Sequence, residues 1–263
     1  YDVSEMALTT YLCARAHGAP LTGLPIFLVR DFHHKSMCKT PAAGIDTPRD
    51  LEGRRVGVNR GYTVTTGVWA RAILAQEHGV DLDAVTWARS GDEHVADYEP
   101  PANVEDLGGT GTLEEQLLRG DIGAAVGLPA RGDGLAPIIE DAFAAGMTAL
   151  KSRGFYPINH LVVIRDDVMA AHPGLAGQLC DAFAASKRMY VNELKAGRIA
   201  DPTPIDKTLQ AVLEVMDDPL PYGIAPNQRV LETLMAAAVA QGIIPRPMAL
   251  DSLFAADVSD FAA

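Results

Sequence analysis

Short apolar runs alternate with longer helical stretches along most of this chain, and this alternation limits the folds open to it. Residues 24–29 read LPIFLV, a continuous apolar run typical of a strand buried on both faces. From residue 166 to the end the pattern is mostly helical. The order predicts an α/β fold with parallel sheets. Similar runs predict strands at 36–40, 54–58, 84–90, 122–128 and 160–164, and helices at 63–78, 113–119 and 134–150.

The charge balance narrows the classes of partner. The chain has 263 residues, 48% of them hydrophobic, and a formal net charge of −12. It can therefore bury a core, but it offers no basic face to nucleic acid. No apolar run reaches the ~18 residues of a membrane-spanning helix, so we expect no membrane partner. The cysteines Cys13, Cys38 and Cys180 are widely spaced, without zinc-type spacing, which favours a reducing compartment.

The stretch RGYTVTTGVW (60–69) lies between a predicted strand and a predicted helix. In parallel sheets, ligands bind beyond the carboxyl ends of strands, where helix N-termini present unpaired amides. The hydroxyls of Thr63, Thr65 and Thr66 add donors, and Arg60 adds a bidentate fork, so the expected occupant is a carboxylate. Plain N-capping by threonine, with Arg60 in solvent, is the alternative that the residue types leave open.

The two ends of the chain carry further expectations. YDVSEM at the start is predicted to end a strand, and the helix that follows closes at Gly18. Because Tyr1 is not an initiator, we expect residues to precede it. Near the other end, the helices predicted at 227–245 and 251–261 have apolar faces. These faces either pack on the fold or form a dimer.

Six segments, in this order, carry a resemblance to a known family: YDVSEMALTTYL, LPIFLVRDFHHKSM, DLEGRRVGVNRGYTVTTGVWARAIL, GVDLDAVTW, DEHV and YPINHLVVIRDDV. Together they resemble the 4,5-dihydroxyphthalate decarboxylase family over nearly the whole chain. The resemblance implies a two-lobed fold like that of type 2 periplasmic binding proteins. Each lobe would be a mainly parallel sheet flanked by helices, with a ligand cleft between the lobes. Lobe one would hold 1–38 and 160–263, and lobe two 39–159.

The resemblance also implies a reaction, the non-oxidative decarboxylation of a dihydroxylated aromatic dicarboxylate such as 4,5-dihydroxyphthalate to 3,4-dihydroxybenzoate and CO₂. The partner would be a small aromatic acid, and the location cytoplasmic. No organic cofactor is expected, because the phenol itself accepts the electrons. The chemistry needs a general acid near the ring, a base near the hydroxyls and an anchor for the second carboxylate.

Residues of suitable chemistry lie near the predicted strand ends and crossovers. Arg60, Tyr62, Thr63, Thr65 and Thr66 suit the anchor, and Arg30 could be a second carboxylate clamp. His34, at the first crossover, matches a histidine in the family pattern. His94 follows the strand at 84–90 and suits a general acid, since imidazole titrates near neutral pH. The remaining candidates are His160 as a catalytic group, Asn159 and Ser4 as hydrogen-bond partners of the hydroxyls, and Glu5 as a base.

Other interpretations stay open for each candidate. The histidines could be surface or core residues, Arg30 a solvated strand end, and Ser4 and Glu5 helix caps. His34, His94, His160 and a carboxylate could instead converge on a divalent metal, although no metal motif supports this. A periplasmic solute-binding protein for an aromatic or other small acid would share the fold and the anion loop without needing an acid or a base.

Overall fold

The computed structural model describes residues 1–263, which form nine strands and eight α-helices. The strands are β1 (Val3–Ala7), β2 (Leu21–Arg30), β3 (Met37–Lys39), β4 (Arg55–Val58), β5 (Thr86–Arg89), β6 (Val104–Asp106), β7 (Ala124–Val126), β8 (Ala136–Pro137) and β9 (Ile158–Arg165). The helices are α1 (Leu8–Ala16), α2 (Thr65–His78), α3 (Leu113–Arg119), α4 (Ala142–Arg153), α5 (Asp166–Ala171), α6 (Leu175–Lys195), α7 (Pro204–Leu213) and α8 (Gln228–Ala240).

The strands form two sheets. The first has the order β1-β9-β2, and the second has the order β6-β5-β4-β7-β3-β8. Residues 31–36 and 155–157 link one sheet to the other. The lobe boundaries at 38/39 and 159/160 remain a prediction from the resemblance.

The first sheet differs from the mainly parallel arrangement expected for it. Strand β9 runs antiparallel to both neighbours, with Ala7 opposite His160 on β1 and Leu24 opposite Val162 on β2. An apolar run predicts burial on both faces but carries no information about strand direction, so the sequence could not reveal this. The register of β2 shifts after Leu24, next to Pro25, which has no N–H to donate to the ladder.

The second sheet matches the expectation at its centre. Strands β6, β5, β4 and β7 are each parallel to their neighbours in that order, while β3 lies between β7 and β8 and runs antiparallel to both. The carboxyl ends of β4, β5 and β6 therefore meet at one edge. Three loops gather there: residues 59–64, residues 90–103 and residues 107–112.

Local signals explain where the helices begin and end. Thr112 and Glu115 form the predicted capping box of α3, with Thr112 N donating to Glu115 at 2.7 Å. The helix expected at 134–150 instead begins at Ala142, because the Asp141 side chain accepts from Ala144 N and caps it there. The predicted helix 63–78 begins at Thr65 and ends before Gly79, which is left-handed with φ 66°.

One hydrophobic core runs across both sheets. It includes Leu8 of α1, Trp69 of α2, Trp87 of β5, Leu161 of β9 and Leu234 of α8. The apolar face of α8 is thus packed inside this molecule rather than presented to solvent. No helix is both long and apolar enough to cross a bilayer.

Candidate functional site

The loop that follows β4 carries an unusual backbone conformation. Arg60 has φ 67° and is the chain's one residue other than glycine with a positive φ. Its amide N–H donates to Ser90 Oγ at 2.9 Å, and its side chain is exposed. A left-handed conformation in an L-residue costs energy, so neighbouring contacts must hold it; such residues concentrate at functional sites.

The amides of this loop bind a carboxylate that belongs to the protein itself. The Glu93 carboxylate accepts from Tyr62 N at 2.6 Å, from Thr63 N at 3.1 Å and from Thr63 Oγ1 at 2.7 Å. The Glu93 side chain is only 5% exposed. The loop therefore attracts a carboxylate as the sequence indicates, but at Tyr62 and Thr63 the occupant is internal. Sequence reasoning could not pair positions thirty residues apart.

Tyr62 is a packing residue that lies over a buried cation. The Arg71 guanidinium is 3.7 Å from the centroid of the Tyr62 ring and donates to the Tyr62 carbonyl at 2.6 Å. Arg71 is fully buried, and its other side-chain hydrogen bond goes to Gln241 Oε1. Burial lowers the pKa of Arg71 below its usual value. Nothing in the sequence around Arg71 distinguishes it from a surface helix residue.

Two helix N-termini meet beside the loop at a helix junction formed by Thr9, Thr63 and Thr65. Thr9 N donates to Thr65 Oγ1 at 3.1 Å, and Thr9 Oγ1 donates to the Thr63 carbonyl at 2.6 Å. No side chain caps α2, and the amides of residues 65–67 have no acceptor in the structure. The Thr66 side chain is half-buried at the same turn. The positive ends of α1 and α2 thus point to one region.

A polar cavity of about 680 Å³ lies at the carboxyl ends of β4, β5 and β6. We call it the Arg60 pocket; its lining includes Asn59, Arg60, Arg89, Ser90, Asp92 and Asp106. Arg89 pairs with Asp106 at 2.7 Å and lies 3.6 Å from Glu93. Arg60 forms no salt bridge, so it is the cation in this pocket that remains free to bind a carboxylate. The volume falls within the few hundred cubic ångströms typical of small-molecule sites.

Glu5 and His160 form a pair on the first sheet. His160 Nδ1 donates to Glu5 Oε1 at 2.6 Å, and the two side chains are 38% and 46% exposed respectively. The bond fixes the tautomer in which Nε2 of His160 is free to accept a proton. Ala7, opposite His160 in the register, is two residues from Thr9 of the helix junction. Ser4 donates to the carbonyl of Glu5 at 3.1 Å.

Two of the predicted catalytic histidines, His34 and His94, lie outside the helix junction. His34 is fully buried and donates from Nε2 to Glu77 at 3.0 Å, near the C-terminal end of α2. That end is roughly 18 Å along the helix from Thr65, so His34 does not reach the helix junction. His94 is exposed in the loop after β5, next to Glu93.

Arg30 and Asn159 are both committed to internal contacts. Arg30 is buried, donates to the carbonyls of Tyr156 and Pro221 and also bonds Asn227, so it is not a solvent-facing clamp. Burial lowers the pKa of Arg30 to about 10. The Asn159 Oδ1 accepts from His33 Nε2 at 2.5 Å inside the protein. No three His, Cys, Asp or Glu side chains converge to hold a metal, so His34, His94 and His160 do not form the alternative metal site.

No family model matches the sequence. A 4,5-dihydroxyphthalate decarboxylase of Comamonas testosteroni is 30% identical over 277 aligned positions, which cover 97% of this chain and 82% of that protein. A 4,5-dihydroxyphthalate decarboxylase of Pseudomonas putida is 36% identical over 135 positions, 48% of this chain and 52% of that protein.

Among solved structures, the periplasmic aliphatic sulphonate binding protein SsuA from Escherichia coli aligns with a TM-score of 0.51 at 11% identity, over 97% of this chain and 75% of that one. The desulfurization enzyme DSZB aligns with a TM-score of 0.50 at 17% identity, over 96% and 82%. These two likenesses confirm the periplasmic-binding-protein-like, two-lobed α/β fold. The extent and identity of the first match show in addition that the chain belongs to the 4,5-dihydroxyphthalate decarboxylase family.

Proposed function

We propose that this protein is a carboxy-lyase that decarboxylates a dihydroxylated aromatic dicarboxylate such as 4,5-dihydroxyphthalate, releasing 3,4-dihydroxybenzoate and CO₂. The observation that carries the reaction is the 30% identity to a decarboxylase of this name over 97% of the chain. The solute-binding alternative has only the shared fold in its favour, and a fold does not determine a function.

Arg60 is the proposed anchor for the carboxylate that the product retains. It is exposed, lines a cavity of about 680 Å³ and has no acidic partner. A guanidinium can hold a carboxylate through two parallel hydrogen bonds, which would orient the ring. The free amides of residues 65–67 lie five to seven positions further along the same segment and add positive potential at the start of α2.

Proton transfer is assigned to two histidines in this proposal. His160, oriented by Glu5, takes the proton of the hydroxyl para to the departing carboxylate. His94, in the loop that lines the Arg60 pocket, protonates the ring carbon bearing that carboxylate. The carbon–carbon bond then breaks, CO₂ leaves, and the bonding electrons restore the aromatic ring. The resulting phenolate regains its proton from His160.

The proposed location is the cytoplasm, and the proposed partner is a small aromatic acid. A cytoplasmic enzyme fits three buried cysteines that form no disulfide. A net charge of −12 fits a small-molecule partner rather than nucleic acid.

The test is turnover of 4,5-dihydroxyphthalate, followed by CO₂ release and by the ultraviolet spectrum of the product, with and without a chelator. Turnover that survives the chelator supports the proposed mechanism. Arg60→Gln should raise KM by roughly 10- to 100-fold, since a hydrogen bond to a charged group contributes about 1.5–3 kcal/mol. Arg49→Gln, which removes an exposed arginine paired with Glu52, is the matched control and should leave KM unchanged.

Other results would reassign the protein. Tight binding of the acid without turnover would point to a solute-binding protein. Loss of turnover with the chelator would contradict the metal-free route. An unchanged KM in Arg60→Gln would remove Arg60 from the site even if the reaction itself is observed.

A further inference from the structure

Two loops interlock around Arg60. Its N–H is held by Ser90 Oγ at 2.9 Å. A Cβ placed on Gly91 would lie 3.3 Å from the Cα of Arg60, and one placed on Gly61 would lie 2.8 Å from the Asp92 carbonyl oxygen. The backbone of 60–61 therefore lies directly against the backbone of 90–92. This close approach requires glycine at position 61 and leaves little room for a side chain at position 91.

Glu93 also holds these two loops together. Its carboxylate takes three hydrogen bonds from Tyr62 and Thr63, the two residues after Gly61. The Tyr62 N–H donates to Glu93, and the Tyr62 carbonyl accepts from Arg71. The backbone on the C-terminal side of Arg60 is thus held between a buried anion and a buried cation, and charged partners make such bonds strong.

The left-handed conformation of Arg60 needs this support. An arginine at φ 67° has no conformational preference of its own for that region, so it returns to the ordinary region when its neighbours release it. In the present conformation the Arg60 side chain lines the pocket. A change of φ at Arg60 would turn the side chain away from it. The direction of the guanidinium therefore depends on contacts made by other residues.

We infer that Glu93 is a positioning residue, which holds the loop 60–63 so that the Arg60 guanidinium faces the Arg60 pocket. The inference rests on the proposed function, in which Arg60 binds the retained carboxylate of the substrate. Glu93 itself does not touch the substrate in this assignment, because all its contacts are internal. Its effect on catalysis passes through Arg60.

A double-mutant cycle tests this dependence. Glu93→Gln keeps the size of the side chain but removes its charge and one acceptor oxygen. It should raise KM for 4,5-dihydroxyphthalate about 10-fold and change kcat by less than about threefold, since only an anchor is lost. In an Arg60→Gln background, the same change should alter KM by less than about twofold. Glu99→Gln, an exposed glutamate in the same loop, is the matched control and should change nothing.

Equal KM effects in the two backgrounds would overturn the inference, as would an unchanged KM in Glu93→Gln.

Thr63→Val is a milder second variant that removes one of the three donors and should raise KM about two- to threefold. If the protein binds the acid without turning it over, the same cycle is measured with dissociation constants in place of KM. The positioning role of Glu93 can then be tested even if the proposed reaction does not occur. A crystal structure of Glu93→Gln decides without any substrate: Arg60 should leave the left-handed region, and a retained positive φ would contradict the inference.

Discussion

His33 and Asn159 form a buried pair at the crossover between the two sheets. Burial lowers the pKa of the His33 imidazole to about 4, from an ordinary value near 6.5. The folded protein therefore keeps His33 neutral in a pH range where the unfolded chain protonates it. The stabilisation is complete above pH ~6.5 and is lost progressively as the pH falls from there towards 4.

We expect the wild-type protein to lose about 2 kcal/mol more unfolding free energy than the His33→Gln variant between pH 7.5 and pH 5. The glutamine cannot take up a proton, so its stability lacks this component. Urea unfolding at both pH values measures the difference. His172→Gln, at an exposed histidine, is the control and should follow the wild type. Parallel pH profiles for wild type and His33→Gln would show that His33 is not held neutral by the fold.

At the scale of elements, helix α4 packs against the crossover segment through a glycine. A Cβ on Gly146 would lie 2.5 Å from Cγ of Phe32, which is buried beside Tyr156. The missing side chain thus makes room for the aromatic ring that follows β2. Helix α6 contains a contrasting glycine, Gly177, where an added Cβ meets no atom within 4 Å.

These two glycines give a matched pair of substitutions. Gly146→Ala should destabilise the protein by about 1–3 kcal/mol, because the methyl group overpacks against Phe32. Gly177→Ala should stabilise it by about 0.5 kcal/mol, because alanine loses less backbone entropy in a helix. Denaturant unfolding measures both. Equal effects of the two substitutions would mean that the close packing at Gly146 is relieved by a small movement of Phe32.

At the scale of the whole molecule, α2 joins the two sheets. It follows β4 of the second sheet, and its Trp69 donates from Nε1 to the Ile158 carbonyl of β9 in the first sheet at 2.8 Å. Arg71 of the same helix donates to Gln241 beyond the end of α8. Together with the shared core, these contacts make each sheet part of the other's packing surface.

The chain should therefore unfold in a single cooperative transition, in spite of having two sheets. Tryptophan fluorescence reports mainly on the surroundings of Trp69 and Trp87, while circular dichroism reports on all helices, including α5–α8 beside the first sheet. The two probes should give coincident transitions, and calorimetric and van't Hoff enthalpies should agree. A separate, earlier loss of helix signal would show that the sheets unfold as independent units.

Local residue patterns were enough to predict the fold class and most of the helix ends. Alternating apolar runs, the capping box at Thr112 and the glycines after helices predicted the α/β class and most helix ends, because these signals depend on residues a few positions apart. The same reasoning identified Arg60 as a candidate anchor and the following amides as a carboxylate site. It also selected Glu5 and His160 separately, which the structure brings into one hydrogen-bonded pair.

From residue patterns alone the chain is predicted to form an α/β fold, and the loop after β4 is a candidate carboxylate site. Folding brings the Glu93 carboxylate to that loop, buries His34 and Arg30 away from the Arg60 pocket and places Arg71 against the Tyr62 carbonyl. The reason is physical. Helix ends and buried strands arise from neighbouring residues, whereas an ion pair, a buried polar contact or a strand direction depends on segments brought together only by folding.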